Sequence, residues 1–151
     1  MIPLPTLKYL SSQKVKDADI LFRHERNNGA IYLMGYALEF SLKRKISLAF
    51  GFTGGFPENG VELNTYAPQV NHFHALQTGV QLIRISQLRH HRLTDLLTYS
   101  AEGPRITALF YPEWQVVNQW NPEDRYIRRR VTRARAAEFM RSAKVILKEI
   151  A

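Results

Sequence analysis

Six arginines near the C-terminal end form the densest group of side chains in the chain that could bind a ligand. A guanidinium group matches a phosphate because two parallel N–H bonds reach two of its oxygens. Trp120 and Tyr126 lie beside the cluster, and aromatic rings of this kind stack on nucleobases. The alternative is a solvated basic face that pairs with Glu123, Asp124 or a partner subunit. We predict phosphate or nucleic-acid contacts for Arg125, Tyr126, Arg128, Arg129, Arg130 and Arg133, with Arg135 completing the six arginines.

The net charge of the chain is concentrated in the same region. Residues 125–151 hold 9 of the 21 Lys and Arg residues but only 2 of the 13 Asp and Glu residues, which places +7 of the total +8 there. Like charges this dense are costly unless a counter-charge arrives. The asymmetry therefore favours a polyanionic partner, namely nucleic acid, a nucleotide phosphate or an acidic protein face.

Composition excludes several other kinds of chemistry. The chain has no cysteine, so disulfides, thiolate metal sites and thiol nucleophiles are excluded. His72 and His74 are two residues apart and would point to nearly opposite faces of a helix, with few acids nearby to complete a metal site. The glycines of residues 51–55 lack the Lys-Ser/Thr of a phosphate-binding P-loop. We therefore expect neither a metal nor a cofactor.

The size and termini of the chain indicate one domain over residues 1–151. The length, the apolar fraction of 45% and the charged fraction of 23% are those of an ordinary globular domain. The N-terminus lacks a basic region followed by an apolar core, and no run approaches the roughly 18 apolar residues of a membrane span. These features predict a cytoplasmic protein.

Apolar residues at helical spacing predict the elements that must hold these side chains. Glu39 and Lys43 are four residues apart on the second predicted helix, in the favourable order for an ion pair. Tyr32 and Tyr36 share that face, which predicts either a small polar pocket or simple packing, and Gly35 would let another helix approach closely. The predicted helices are Thr6 to Arg26, Ala30 to Phe50, Val70 to Leu97, Arg105 to Trp120 and Thr132 to Ile150.

Glycine, proline and asparagine predict where these helices are interrupted. Residues 27–29 (Asn-Asn-Gly) indicate a turn, and residues 51–68 a long loop that Phe52 and Phe56 would anchor. Pro112 is tolerated only near a helix start or at a kink. Helices joined by short turns and one longer loop predict an all-α fold, an up-and-down four- to five-helix bundle.

The second predicted helix carries a pattern that resembles the HEPN family. Its residues follow the spacing Ala-x-Tyr-x4-Ala-x-Glu-x2-Leu-Lys from Ala30 to Lys43. The resemblance continues in order along most of the chain, excluding residues 51–68 and 99–115. It includes Ala18-x-x-Leu21-Phe22, His74-Ala75-Leu76, Trp120-x4-Arg125-Tyr126 and the last helix from Ala136 to Ile150.

The resemblance implies a helical bundle that commonly forms homodimers and works with nucleotides or RNA. Some family members partner a nucleotidyltransferase encoded beside them, and others belong to toxin–antitoxin systems as RNA-cleaving toxins. The main expectation is therefore a binding module whose basic C-terminal region contacts phosphates or such a partner. Because one fold hosts many functions, whether the chain is an enzyme stays open.

The ribonuclease branch of this family uses an Arg followed, after four to six residues, by a His. Arg84 followed by His90 has this spacing with five residues between, and His91 has it with six. The resemblance implies that the Arg stabilises phosphate charge and the His transfers a proton, with two such groups meeting across a dimer. The alternative function is thus a metal-independent ribonuclease that uses Arg84 and His90; the alternative for these residues is a solvated helix face.

Overall fold

The computed structural model describes residues 1–76, 80–82, 84–89, 91–126 and 129–151, with Arg125 described by its backbone alone. These residues form nine α-helices and one 3₁₀ helix. Extended pairing within them is limited to one antiparallel bridge between Ile2 and Phe56. The predicted all-α fold is confirmed.

Three helices are long and the others are short. The long ones are α1 (Leu4–Arg23), α2 (Asn27–Phe50) and α9 (Arg133–Glu149). The short ones are α3 (Gly60–Asn64), α4 (Ala67–Leu76), α5 (Ser86–Arg89), α6 (Leu93–Tyr99), α7 (Gly103–Leu109), α8 (Tyr111–Val117) and the 3₁₀ helix Pro122–Tyr126. None of the described helices is long and apolar enough to cross a membrane.

Helix α2 lies at the centre of the fold. It packs against α1, α4, α6, α9 and the 3₁₀ helix, and ten of its residues are buried. A short turn joins α1 to α2, so the two form an antiparallel hairpin. Helix α9 begins beside the start of α2 and ends near Arg44, which makes it parallel to α2. The buried face of α2 therefore supplies most of the framework on which the other elements are placed.

The turn between α1 and α2 comes earlier than predicted. Residues 27–29 are helical, and the chain reverses at residues 24–26, where Glu25 adopts a φ of 59°. Because the side chains of Asn27 and Asn28 bind a distant segment of backbone, they are not used to form a local turn.

The single third helix predicted over residues 70–97 is wrong, because α4, α5 and α6 divide that range. The backbone N–H of Leu82 donates to Nε2 of His74 at 2.8 Å, and the Gln87 side-chain amide donates to the carbonyl of Gln81 at 3.2 Å. Side chains have thus taken backbone groups that a continuous helix would pair internally.

Tyr99 reinforces this non-helical segment. Its hydroxyl accepts a hydrogen bond from Nε2 of Gln87 at 2.8 Å and donates to the Gln81 carbonyl at 3.2 Å. Burial raises the pKa of Tyr99, and the nearby charge of Asp95 raises it further. The hydroxyl therefore remains a neutral donor at physiological pH, and its hydrogen bond to Gln81 holds the segment that precedes α5 in place.

Two further predictions, for residues 51–68 and for residues 105–120, differ from the structure. Residues 51–68 contain α3 and the start of α4 and are not one long loop, although Phe52 and Phe56 are buried and anchor the segment as predicted. The helix predicted over residues 105–120 is two helices, α7 and α8, that break at Phe110. Pro112 lies in the first turn of α8, where its missing N–H costs no helical hydrogen bond.

Candidate functional site

A buried carboxylate on α2 organises the centre of the site. The Glu39 side chain is only 2% exposed, and its Oε1 accepts a hydrogen bond from Nζ of Lys43 at 2.6 Å. Its Oε2 lies 2.8 Å from Nδ1 of His91. The predicted Glu39–Lys43 ion pair is therefore confirmed. A buried carboxylate requires partners of this kind because it has lost its hydration.

His91 links the buried carboxylate to the surface. Because Nδ1 faces Glu39, the opposite ring nitrogen, Nε2, is directed away from that carboxylate, and the side chain is 49% exposed. The imidazole ring packs edge-on against Tyr36, with ring centroids 5.9 Å apart. A carboxylate on one ring nitrogen orients the imidazole and fixes its tautomer. His91 thus has the geometry of a proton-transfer group.

His91 lies in the wall of an open cleft of about 810 Å³. Aromatic, cationic and amide-bearing side chains all contribute to its walls, which are formed by α2, the α5–α6 region and the stretch from α8 to the 3₁₀ helix. The lining includes Tyr36, Trp120 and Tyr126 as aromatic residues, Arg89 and Arg92 as cations, Glu123 as an acid, and Asn118, Gln119 and Asn121 as amides. This combination suits a ligand that carries both ring systems and negative charge.

The position of Trp120 depends on Gly35. A Cβ atom added at Gly35 would fall 2.0–2.3 Å from atoms of the Trp120 indole, so only glycine admits the ring there. The indole is 6% exposed and meets Tyr36 edge-on, with ring centroids 5.2 Å apart. Gly35 therefore admits an aromatic side chain and not the neighbouring helix that the sequence suggested.

Two asparagines at the start of α2 hold the segment that precedes α9. The Asn28 amide donates to the carbonyl of Arg129 at 2.8 Å, and its oxygen accepts from the N–H of Val131 at 2.9 Å. The Asn27 amide donates to the Val131 carbonyl at 3.1 Å. This asparagine clamp, Asn27 and Asn28 on residues 129–131, places the backbone around Arg129 and Arg130 against the start of α2.

Some arginines of the cluster already make contacts within the chain and are not available to bind phosphate. Arg133 stacks on the ring of Phe22 at 3.5 Å and also donates to the Phe22 carbonyl. Arg135 pairs with Glu138 at 3.0 Å and donates to Gln119. These two guanidinium groups are therefore engaged in structural contacts within the chain.

Arg129 and Arg130 differ from these two arginines. Both are exposed, and within the described part of the chain neither has a carboxylate at ion-pair distance. Tyr126 lines the cleft and is 73% exposed. Arg128 and the Arg125 side chain lie outside the described residues.

Of the predicted catalytic pair, the structure describes Arg84 but not His90. Arg84 is exposed, its backbone N–H donates to Oε1 of Gln87 at 2.8 Å, and it does not line the cleft. His90 lies outside the described residues, and His91 is the imidazole that the structure brings into the cleft. Sequence reasoning did not find the bond between Glu39 and His91, because no local spacing relates residues 52 positions apart.

A groove of adjoining cavities runs from His91 in the cleft to Arg129 and Arg130. The cleft shares Trp120 and Asn121 with a neighbouring cavity of about 260 Å³. That cavity shares Asn28 and Val131 with two further hollows of about 420 and 540 Å³, both of which Arg130 lines. Both ends of the groove thus carry cations, and the cavity between them carries the aromatic ring of Trp120 and the carboxylate of Asp124.

Comparisons with models of protein families, with curated proteins and with solved structures find no match to the chain. Among the described residues, no group of three or more His, Cys, Asp or Glu side chains could hold a metal ion. The chemistry of the site must therefore be inferred from its own residues.

Proposed function

We propose that the chain is a HEPN-like cytoplasmic module that binds RNA or a nucleotide through phosphate contacts of its basic C-terminal region. The observation that supports this most is the state of Arg129 and Arg130. The asparagine clamp fixes their backbone, while their side chains are exposed and without an acidic partner in the described structure. Guanidinium groups held in this way are available to phosphate oxygens.

The resemblance to the HEPN family extends this proposal to the partners. It implies a homodimer, which sedimentation equilibrium of the purified protein would test. It also implies that a nucleotidyltransferase or the other member of a toxin–antitoxin pair could supply the phosphate-bearing or acidic surface. Phosphate binding weakens steeply with salt, whereas a hydrophobic protein contact does not, so the two kinds of partner are distinguishable.

Replacing Arg129 and Arg130 with alanine is expected to reduce the salt dependence of RNA binding. Each phosphate contact to a single strand contributes about 0.7 to the slope of log K against log salt, so the double variant should lose about 1.4 from it. Fluorescence anisotropy of a labelled RNA at several salt concentrations would measure both slopes.

The matched control is the double variant Lys16→Ala/Arg141→Ala. It removes the same charge from two exposed positions on α1 and α9. It should weaken binding slightly and leave the slope near that of the unchanged protein. An unchanged slope in the Arg129→Ala/Arg130→Ala variant would contradict the proposal.

The alternative function is metal-independent RNA cleavage, and the Glu39–His91 contact favours it. In that reaction a ribose 2′-oxygen attacks the adjacent phosphorus and loses its proton to a base. The bond from phosphorus to the 5′-oxygen breaks, and that oxygen takes up a proton, leaving a 2′,3′-cyclic phosphate and a 5′-hydroxyl. His91 would carry the proton, and Arg89 in the same cleft would stabilise charge on the phosphate, since Arg92 already pairs with Asp95 at 3.0 Å.

If this alternative is right, His91→Ala should lower the cleavage rate by at least about 100-fold, because a positioned general acid–base contributes about 10²–10⁴-fold. The original assignment to Arg84 and His90 makes the competing prediction that His90→Ala has that effect. Gel analysis of labelled RNA incubated with each variant would decide between them. Absence of cleavage by the unchanged protein would exclude the alternative function altogether.

A further inference from the structure

We infer that the cleft beside His91 holds an unpaired nucleobase, so that the ligand is single-stranded RNA and neither duplex RNA nor a mononucleotide. This inference rests on the proposed function and specifies its substrate class. It is carried by the aromatic lining of the cleft, by the hydrogen-bond donors of three amides and by the groove that leads from the cleft to Arg129 and Arg130.

The first observation is the set of aromatic rings in the lining. Trp120, which is 6% exposed, contacts Tyr36 edge-on, and Tyr126, which lines the same cleft, is 73% exposed. An unpaired base can leave its own stack and lie on such a ring, a contact worth about 1–3 kcal/mol. Bases inside an A-form duplex are stacked and paired, and side chains do not reach into its deep groove.

The second observation concerns three amide side chains that line the cleft. Each carbonyl oxygen already accepts an internal hydrogen bond, for Asn118 from the Thr94 hydroxyl, for Gln119 from Arg135 and for Asn121 from the backbone N–H of Glu123 at 3.0 Å. The NH₂ groups are left as hydrogen-bond donors. Donors of this kind match the carbonyl oxygens and ring nitrogens on the edge of an unpaired base.

The third observation is the groove between the cleft and the arginines at its other end. Arg89 and Arg92 lie at the cleft, while Arg26, Arg129 and Arg130 line the hollows at the other end. Between these two groups of cations the groove passes Trp120 and Asp124. A mononucleotide would occupy one end only, whereas a single strand could place a base in the cleft and later phosphates on Arg129 and Arg130.

The test compares Tyr126→Ala with Tyr9→Ala. Tyr9 is also exposed, but it lies on α1, far from Tyr126 in the sequence. Anisotropy would give the affinity of each protein for a short RNA strand, for the same strand in a duplex and for the strand with one base removed. Tyr126→Phe, which keeps the ring, is a second variant. Quenching of tryptophan fluorescence would report contact with Trp120.

We expect the single strand to bind more tightly than the duplex and to quench the fluorescence. Tyr126→Ala should weaken single-strand binding by about fivefold or more without changing its salt slope, whereas Tyr9→Ala and Tyr126→Phe should resemble the unchanged protein. Equal binding of strand and duplex, or equal effects of Tyr126→Ala and Tyr9→Ala, would overturn the inference. If that binding still weakened with salt, the proposed function would stand. Absence of salt-dependent binding to any RNA would overturn both.

Discussion

Replacing Glu39 with leucine is expected to lower the free energy of unfolding by about 3–5 kcal/mol, because it breaks a buried ion pair by removing one partner. The remaining ammonium group of Lys43, whose side chain is 12% exposed, would have lost its carboxylate. His91 would lose the contact that orients its ring. For a chain of this length, thermal denaturation should show a fall in Tm of roughly 6–20 °C.

The double variant Glu39→Leu/Lys43→Met is the control for that prediction. Exchanging both members of a buried pair for apolar residues of similar volume is often neutral or stabilising. The double variant should therefore recover most of the stability that Glu39→Leu loses. A double variant as unstable as the single one would show that the charge of Lys43 is not the source of the loss.

Gly35→Ala is expected to destabilise the protein by about 1–3 kcal/mol, the usual cost of overpacking a core, and to displace Trp120. Helix propensity alone predicts the opposite sign, since alanine is about 1 kcal/mol better than glycine inside a helix. The clash at 2.0–2.3 Å should outweigh that gain because the added atom meets the indole ring. Urea denaturation would measure the change, and tryptophan emission should shift to the red.

Gly60→Ala provides the matched control. Gly60 is the first residue of α3, and a Cβ atom added there would have no atom within 4 Å. Its replacement should leave stability unchanged or raise it by about 0.4–1 kcal/mol through the unfolded chain. If Gly35→Ala were as stable as Gly60→Ala, the packing of Trp120 on Gly35 would not be needed for the fold.

Features that depend on local spacing could be predicted from the sequence. The all-α fold, the Glu39–Lys43 pair and the position of Pro112 near a helix start all follow from residues a few positions apart. The start of α9 is a similar case, because the Thr132 side chain accepts a hydrogen bond from the N–H of Arg135 at 3.2 Å. Each of these is fixed by helical periodicity or capping.

Features that depend on distant residues could not be predicted in the same way. The bond from His91 to Glu39 and the asparagine clamp join residues far apart in the sequence. The break in the predicted third helix arises because side chains such as His74 compete for backbone groups. Charge density predicted the arginine cluster. It could not show that Arg133 stacks on Phe22 whereas Arg130 is exposed.

The central position of α2 has a consequence for synthesis on the ribosome. The α1–α2 hairpin is complete at Phe50, but α9, which covers part of α2, ends at Glu149, roughly 100 residues later. At about 5–20 residues per second, translation of that stretch takes roughly 5–20 s. During this interval the face of α2 that α9 later covers is exposed. We therefore expect the nascent chain to depend most on chaperones at this stage of its synthesis.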